Sequence, residues 1–164
     1  MPYVEARYQF GKQKPRQIVL RGTFTTSSKG AALGIAQAWH SSHEPWISGH
    51  YTVDDETRYR CIEDNVIAGT KDAHNKGVLR IAICAEPVSG YRFWDEAAHS
   101  RVLKRAAKLV AELSLAYNIP IRYVENDNSL WRIKKGLVVD TPNGWPSEMF
   151  LSEVNAQRVL KTHI

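Results

Sequence analysis

The chain is 164 residues long, 43% hydrophobic and 24% charged, a length and balance that fit one domain with a sizeable core and exclude long disorder. No apolar run approaches the roughly 18–20 residues that cross a bilayer, and Met1-Pro2-Tyr3-Val4-Glu5 has neither the basic nor the apolar region of a signal peptide. Membrane insertion is therefore not expected, and synthesis is expected to leave the protein in a cytoplasm. The formal charge of +5 and a pI near 9.3 are dispersed: Lys12, Lys14 and Arg16 form one group and Lys104, Arg105 and Lys108 another, with no long basic run, so nucleic acid is not expected as a partner.

In chain order, Gln17 to Leu20 carries Ile18-Val19-Leu20 ahead of Gly22 and reads as a short, buried, central strand. Ala31 to His40 has a helical composition, with Ser27 or Ser28 as N-cap and Pro45 closing the unit. Gly49-His50-Tyr51-Thr52-Val53, the acidic turn Asp54 to Thr57, and Arg58 to Ile62 describe a β-hairpin, because both arms alternate with period two. Val78 to Ala85 is a second buried strand. From about Trp94-Asp95-Glu96, the acidic pair marking a first turn, Val102, Leu103, Ala106, Leu109, Val110, Leu113 and Tyr117 recur at spacings of three and four, which predicts an amphipathic helix ending before Pro120. Ile119 to Val124 reads as a short strand with Pro120 at its start or at an edge, and Pro142 to Pro146 as a loop. A last helix starts at Ser147 and carries Phe150, Leu151, Val154, Val159 and Leu160.

Strands interleaved with helices, one pair joined by a hairpin, predict a single α/β domain over residues 1–164 with a central mixed sheet flanked by helices. Cys61 and Cys84 lie in apolar runs and read as buried thiols rather than a disulfide. Trp39, Trp46, Trp94, Trp131 and Trp145 read equally as core or rim. No nucleophile elbow, phosphate-cradling loop or dinucleotide glycine fingerprint occurs.

The order of these motifs resembles the peptidoglycan amidase family that includes the peptidoglycan recognition proteins and the amidase domains of mycobacteriophage endolysins. The resemblance is carried by Ile18-Val19-Leu20, Trp39-His40, Ser48 to Asp54, Ile81-Ala82-Ile83, Arg101 to Tyr117, Ile119-Pro120 and Asp140 to Phe150. It implies cleavage of N-acetylmuramoyl-L-alanine bonds by a zinc ion with three protein ligands, and those ligands are degenerate here. The first, a histidine after the leading strand, falls on Arg21, whose protonated guanidinium has no free lone pair. The second, a histidine near Lys134 to Val139, has no counterpart, and Asp140 matches the third. Cys84 stands where the family carries a glutamate.

Two functions follow from the resemblance. One is a catalytically inactive amidase-like domain, a phage-encoded peptidoglycan binder or a structural protein of the virion such as a tail component, with no cofactor. Its groove would be lined by Arg21, His50, Tyr51, Cys84, Asp140 and Trp145, and Arg21 would pair either with a carboxylate of the stem peptide or with Asp140 itself. The other is an active amidase with a zinc site rebuilt from His50, Asp140 and His40 or His43. His74, His99 and His163 read as surface or terminal residues.

Overall fold

The computed structural model describes residues 1–7, 9–23, 29–42, 48–68, 76–85, 94, 97–125, 134–140 and 144–162. Its elements are β1 (Gln9–Lys12), β2 (Gln17–Gly22), α1 (Ala31–Ser41), β3 (Tyr51–Val53), β4 (Arg58–Arg60), β5 (Val66–Ala68), β6 (Val78–Ile83), α2 (Ala97–Tyr117), β7 (Gly136–Val139) and α3 (Ser147–Thr162). The main sheet has the order β4-β3-β6-β2-β7. β3, β6, β2 and β7 run parallel, and β4 returns antiparallel to β3 through the expected hairpin. This is the mixed α/β architecture read from the sequence.

The apolar runs of β2 and β6 are continuous because both faces of these interior strands are covered. On one face Ile18, Leu20, Leu79, Ile81, Ile83 and Leu137 meet the three-and-four-spaced stripe of α2, together with Phe150 and Val154 of α3. Each fully buried Leu, Ile or Phe contributes about 1.5–3 kcal/mol, so this layer dominates the stability. On the opposite face Thr52 donates its hydroxyl to Ala32 O of α1 at 2.9 Å, and Ala36 packs with Ala6, Cys61, Ile62, Val66 and Ala68. α2 stops where Asn118 enters the left-handed region at φ 55°, ahead of Pro120. Among the described residues no helix is long and apolar enough to cross a membrane.

Two local expectations are corrected and one small sheet was not anticipated. Ile119 to Val124 forms no full strand: Tyr123 makes a single parallel bridge to Leu137, because Ile121 to Val124 are only partly covered. β1 and β5 form a second, two-stranded antiparallel sheet that the polar, non-alternating Gln9 to Lys12 does not announce. The N-cap of α1 is Gly30 at φ 98°, with no side-chain bond of its own, and Ser27 and Ser28 lie outside the described residues, as do Asp95 and Glu96. The capping group comes from the distant hairpin turn: Asp54 Oδ2 accepts from Gly30 N at 3.1 Å and Ala32 N at 3.0 Å.

Gly136 opens β7 at φ +149°, and a Cβ there would lie 2.7 Å from Arg122 O and 2.9 Å from Val124 Cγ1. That is where residues 122–124 exchange backbone bonds with Leu137 at 2.8 Å. Gly136→Ala is therefore expected to cost about 2–3 kcal/mol through strain and displacement of this segment. Urea unfolding measures it, and an unchanged midpoint would contradict the tight approach.

Candidate functional site

The parallel strands β2, β6 and β7 end at one edge of the sheet, and their C-terminal residues converge there, the usual place for a site in such sheets. Leu20 pairs with Val139 and Arg21 with Ala82. Asp140 continues the ladder, its N–H donating to Leu20 O at 2.9 Å. Arg21 and Asp140 thus emerge from adjacent strands, with Arg21 Nε 3.9 Å from Asp140 Oδ2 and side chains 70% and 40% exposed. Beside them Thr23 donates its N–H to Ile83 O at 3.1 Å and its hydroxyl to the same oxygen at 3.3 Å. Cys84 follows β6 fully buried, its N–H donating to Val53 O at 2.8 Å.

A catalytic zinc needs three N, O or S donors about 2.0–2.3 Å from one point. The strand ends supply one carboxylate and one guanidinium, and among the described residues no three His, Cys, Asp or Glu side chains cluster. Arg21 would repel a divalent cation at the position it occupies. These residues do not fit the ion.

His50 is completely buried. Its Nε2 lies 2.7 Å from Val66 O and its Nδ1 accepts from Arg80 N at 3.0 Å, which fixes the tautomer with the proton on Nε2. Burial pushes its pKa down to about 4, further lowered by Arg80, against the opposing pull of the Val66 carbonyl and Asp64. It stands at the start of β3, three strands from β7, or about 14 Å laterally from Asp140 at ~4.8 Å per strand. His40 lies in the last turn of α1, its Nδ1 2.7 Å from Glu5 O. Among the described residues His50, Asp140 and His40 are thus not brought together, and the alternative with His43 lies outside them. His43, His74 and His163 lie outside the described residues, as do Trp46 and Trp131.

Tyr51 and Trp145 are both buried. Trp145 donates Nε1–H to Tyr123 Oη at 3.0 Å and packs on Trp94 and Phe150 with centroids 5.6 and 4.9 Å away. Tyr51 and Tyr117 each donate a phenol to one oxygen of Asp64 at 2.5 Å, and Arg60 donates to Tyr51 Oη at 3.2 Å. Burial, then the Asp64 bond, pushes the Tyr117 phenol up to about 12 and raises Tyr51 as well. This cluster clasps the C-terminal end of α2 to the hairpin. Sequence reasoning missed it because the two tyrosines lie 13 and 53 residues from Asp64 and only the fold brings them to it. The cysteines are free and buried as expected, and burial pushes the Cys61 thiol up to about 12.

No protein-family model matches the sequence, and no curated protein does. Solved structures do match in fold. The catalytic domain of XlyA aligns with a TM-score of 0.64 over 93% of this chain and 97% of that one, at 16% identity. The N-acetylmuramoyl-L-alanine amidase LysC from Clostridium intestinale aligns at 0.54 over 94% and 98%, at 17% identity. The Staphylococcus aureus hydrolase AmiA, in complex with its ligand, aligns at 0.64 over 99% and 84%, at 13% identity. The chain has the fold of these amidase catalytic domains over nearly its whole length.

Proposed function

We propose that this chain is a peptidoglycan-binding domain that keeps the amidase fold without amidase chemistry. The observation that carries the reading is the Arg21 and Asp140 pair at the strand ends, where the resemblance puts two zinc ligands. A guanidinium is a permanent positive charge with a planar fork that grips a carboxylate bidentately. Contact through Nε at 3.9 Å and high exposure make this a loose surface pair, worth at most about 1 kcal/mol, so Arg21 is held in place yet open to a ligand carboxylate such as that of a stem peptide. Arg21, which has no lone pair to offer a metal ion, in the place of a ligand supports binding without hydrolysis. The fold shared with peptidoglycan amidases supports the substrate class.

Elemental mass spectrometry of the purified protein, a turbidity assay on cell-wall sacculi and sedimentation with the same sacculi test the reading together. The expected result is metal-free protein that sediments with the wall and does not clear it. Arg21→Ala should weaken retention by on the order of tenfold, one charged bidentate contact, while the melting temperature stays within about 2 °C. Arg21→Lys, which keeps the charge but loses the fork, should fall between. Stoichiometric zinc with chelator-sensitive clearing would restore the amidase. Failure of the wild-type chain to sediment would leave a structural subunit, as in a virion.

A further inference from the structure

α2 and α3 pack side by side in the same direction: Trp94 ahead of α2 meets Trp145 just ahead of α3, and Glu112 near the end of α2 meets Lys161 near the end of α3 at 3.0 Å. Lys104 and Lys108 are exposed on the outer side of α2, with Arg105 half-buried between them. Arg158, half-buried and one turn before Lys161, lies level with the turn of α2 that precedes Glu112, which is where Lys108 sits, one turn beyond Arg105. Of the carboxylates in this layer, Glu153 of α3 accepts from Gln157 at 3.3 Å and two others are in ion pairs. Glu112 holds both Arg58 at 2.8 Å and Lys161, and Asp55 holds Arg101 at 3.3 Å. Among the described residues Lys104, Arg105, Lys108 and Arg158 have no ion-pair partner, and the Nε atoms of both arginines are buried without a hydrogen-bond acceptor.

We infer that this face of the α2 and α3 layer is a second binding surface, separate from the Arg21 edge, for a flexible phosphodiester polymer attached to the cell wall. Like charges four residues apart on one helix are unfavourable by a few tenths of a kcal/mol, and here they are kept without counter-charges. Lys104 and Lys108 are about 6 Å apart along the axis, and several such cations bind a polyanion by releasing its condensed counterions. A nucleic acid fits the surface less well. The exposed large apolar residues of the two helices are Leu115, Met149, Val159 and Leu160, with no exposed aromatic on which a base could stack, and α2 lies against α3 instead of projecting as a helix that enters a major groove. Phosphates on a chain without bases are what remain, and the choice of a wall polymer as their source rests on the peptidoglycan reading.

The test uses the full chain and fluorescently labelled poly(glycerol phosphate), followed by anisotropy over a salt series. Wild type is expected to bind with an affinity that falls as salt rises, and Lys104→Glu with Lys108→Glu to weaken it by on the order of tenfold or more at about 0.15 M salt. Lys12→Glu with Lys14→Glu, the same change of net charge on exposed residues far along the sequence, should stay within about twofold. Equal weakening in both pairs would show a net-charge effect and overturn the surface. So would no binding by wild type, or duplex DNA of matched phosphate content binding as tightly as the polymer. The probe contains neither glycan nor peptide, so Arg21→Ala should bind it like wild type, and failure of the Arg21 reading and failure of this one appear in different variants.

Discussion

Asp54→Ala is expected to lower the stability by about 3–5 kcal/mol and the melting temperature by about 8–15 °C. The Asp54 side chain is fully buried and its two oxygens serve separate parts of the chain. Oδ2 takes the N–H groups of Gly30 and Ala32 at the start of α1; Oδ1 takes Glu56 N at 3.0 Å, Thr57 N at 2.7 Å and Thr57 Oγ1 at 2.9 Å across the hairpin turn. Burial alone would raise its pKa, but the bonds from Glu56, Ala32 and Thr57 outweigh it and hold the carboxyl below the usual range. Removing the carboxylate strands four backbone donors, and each unsatisfied buried donor costs about 1–3 kcal/mol, less where water can enter. Asp54→Asn keeps one acceptor and should lose roughly half as much. Thermal and urea unfolding decide the matter: a melting temperature within about 2 °C of wild type for Asp54→Ala would show that α1 does not depend on this cap.

The second large effect is a loss of stability in mild acid. The folded pKa of His50 is about 4, below its ordinary 6.5, so between these values the unfolded chain binds a proton that the folded chain excludes. The sign follows: stability is complete above about pH 6.5 and declines as the pH falls towards 4, by up to about 1.4 kcal/mol per unit and about 3 kcal/mol in total. The cause is geometric. A second ring proton would sit on Nδ1, facing the Arg80 N–H that Nδ1 now accepts from. Urea unfolding at pH 7 and pH 4.5 should show the decline in wild type and a flatter profile in His50→Gln, whatever stability that variant loses at neutral pH. Identical pH slopes would remove His50 as the cause. Asp54 contributes in another window, its stabilisation fading only as the pH drops through its own depressed pKa, so the two effects separate on one pH series.

The main sheet and α2 were legible in the sequence because each has one dominant pattern. Ile18-Val19-Leu20 and Ile81-Ala82-Ile83 are continuous apolar runs, as interior parallel strands must be, and α2 carries three turns of consistent spacing. Turn chemistry at Asp54 to Thr57 gave the hairpin. The candidate site was legible only in part. Arg21 and Asp140 could be placed because the family resemblance puts ligand positions at those strand ends, whereas no comparable anchor placed His50 and Tyr51. Alternation assigns side chains to faces, and both faces of β3 are buried, as Tyr51, Thr52 and Val53 all show, so no alternating residue there is directed at solvent. Asp54 was legible as a turn residue but not as the cap of a helix that precedes it by more than twenty positions, because no local pattern encodes a bond of that range.

The strand order also sets a timetable for folding. β2, β6 and β7, neighbours in the sheet, come from the beginning, middle and end of the chain, and only the β3 and β4 pairing in that sheet is closed by a short turn. Loop-closure entropy must be met before the long-range pairs return any contact energy, so chains of this kind reach the native state slowly. During synthesis β2 emerges long before β7, which completes its other side. A ribosome-bound chain therefore carries an open parallel edge, the apolar face of β2 uncovered, until its last third has been made.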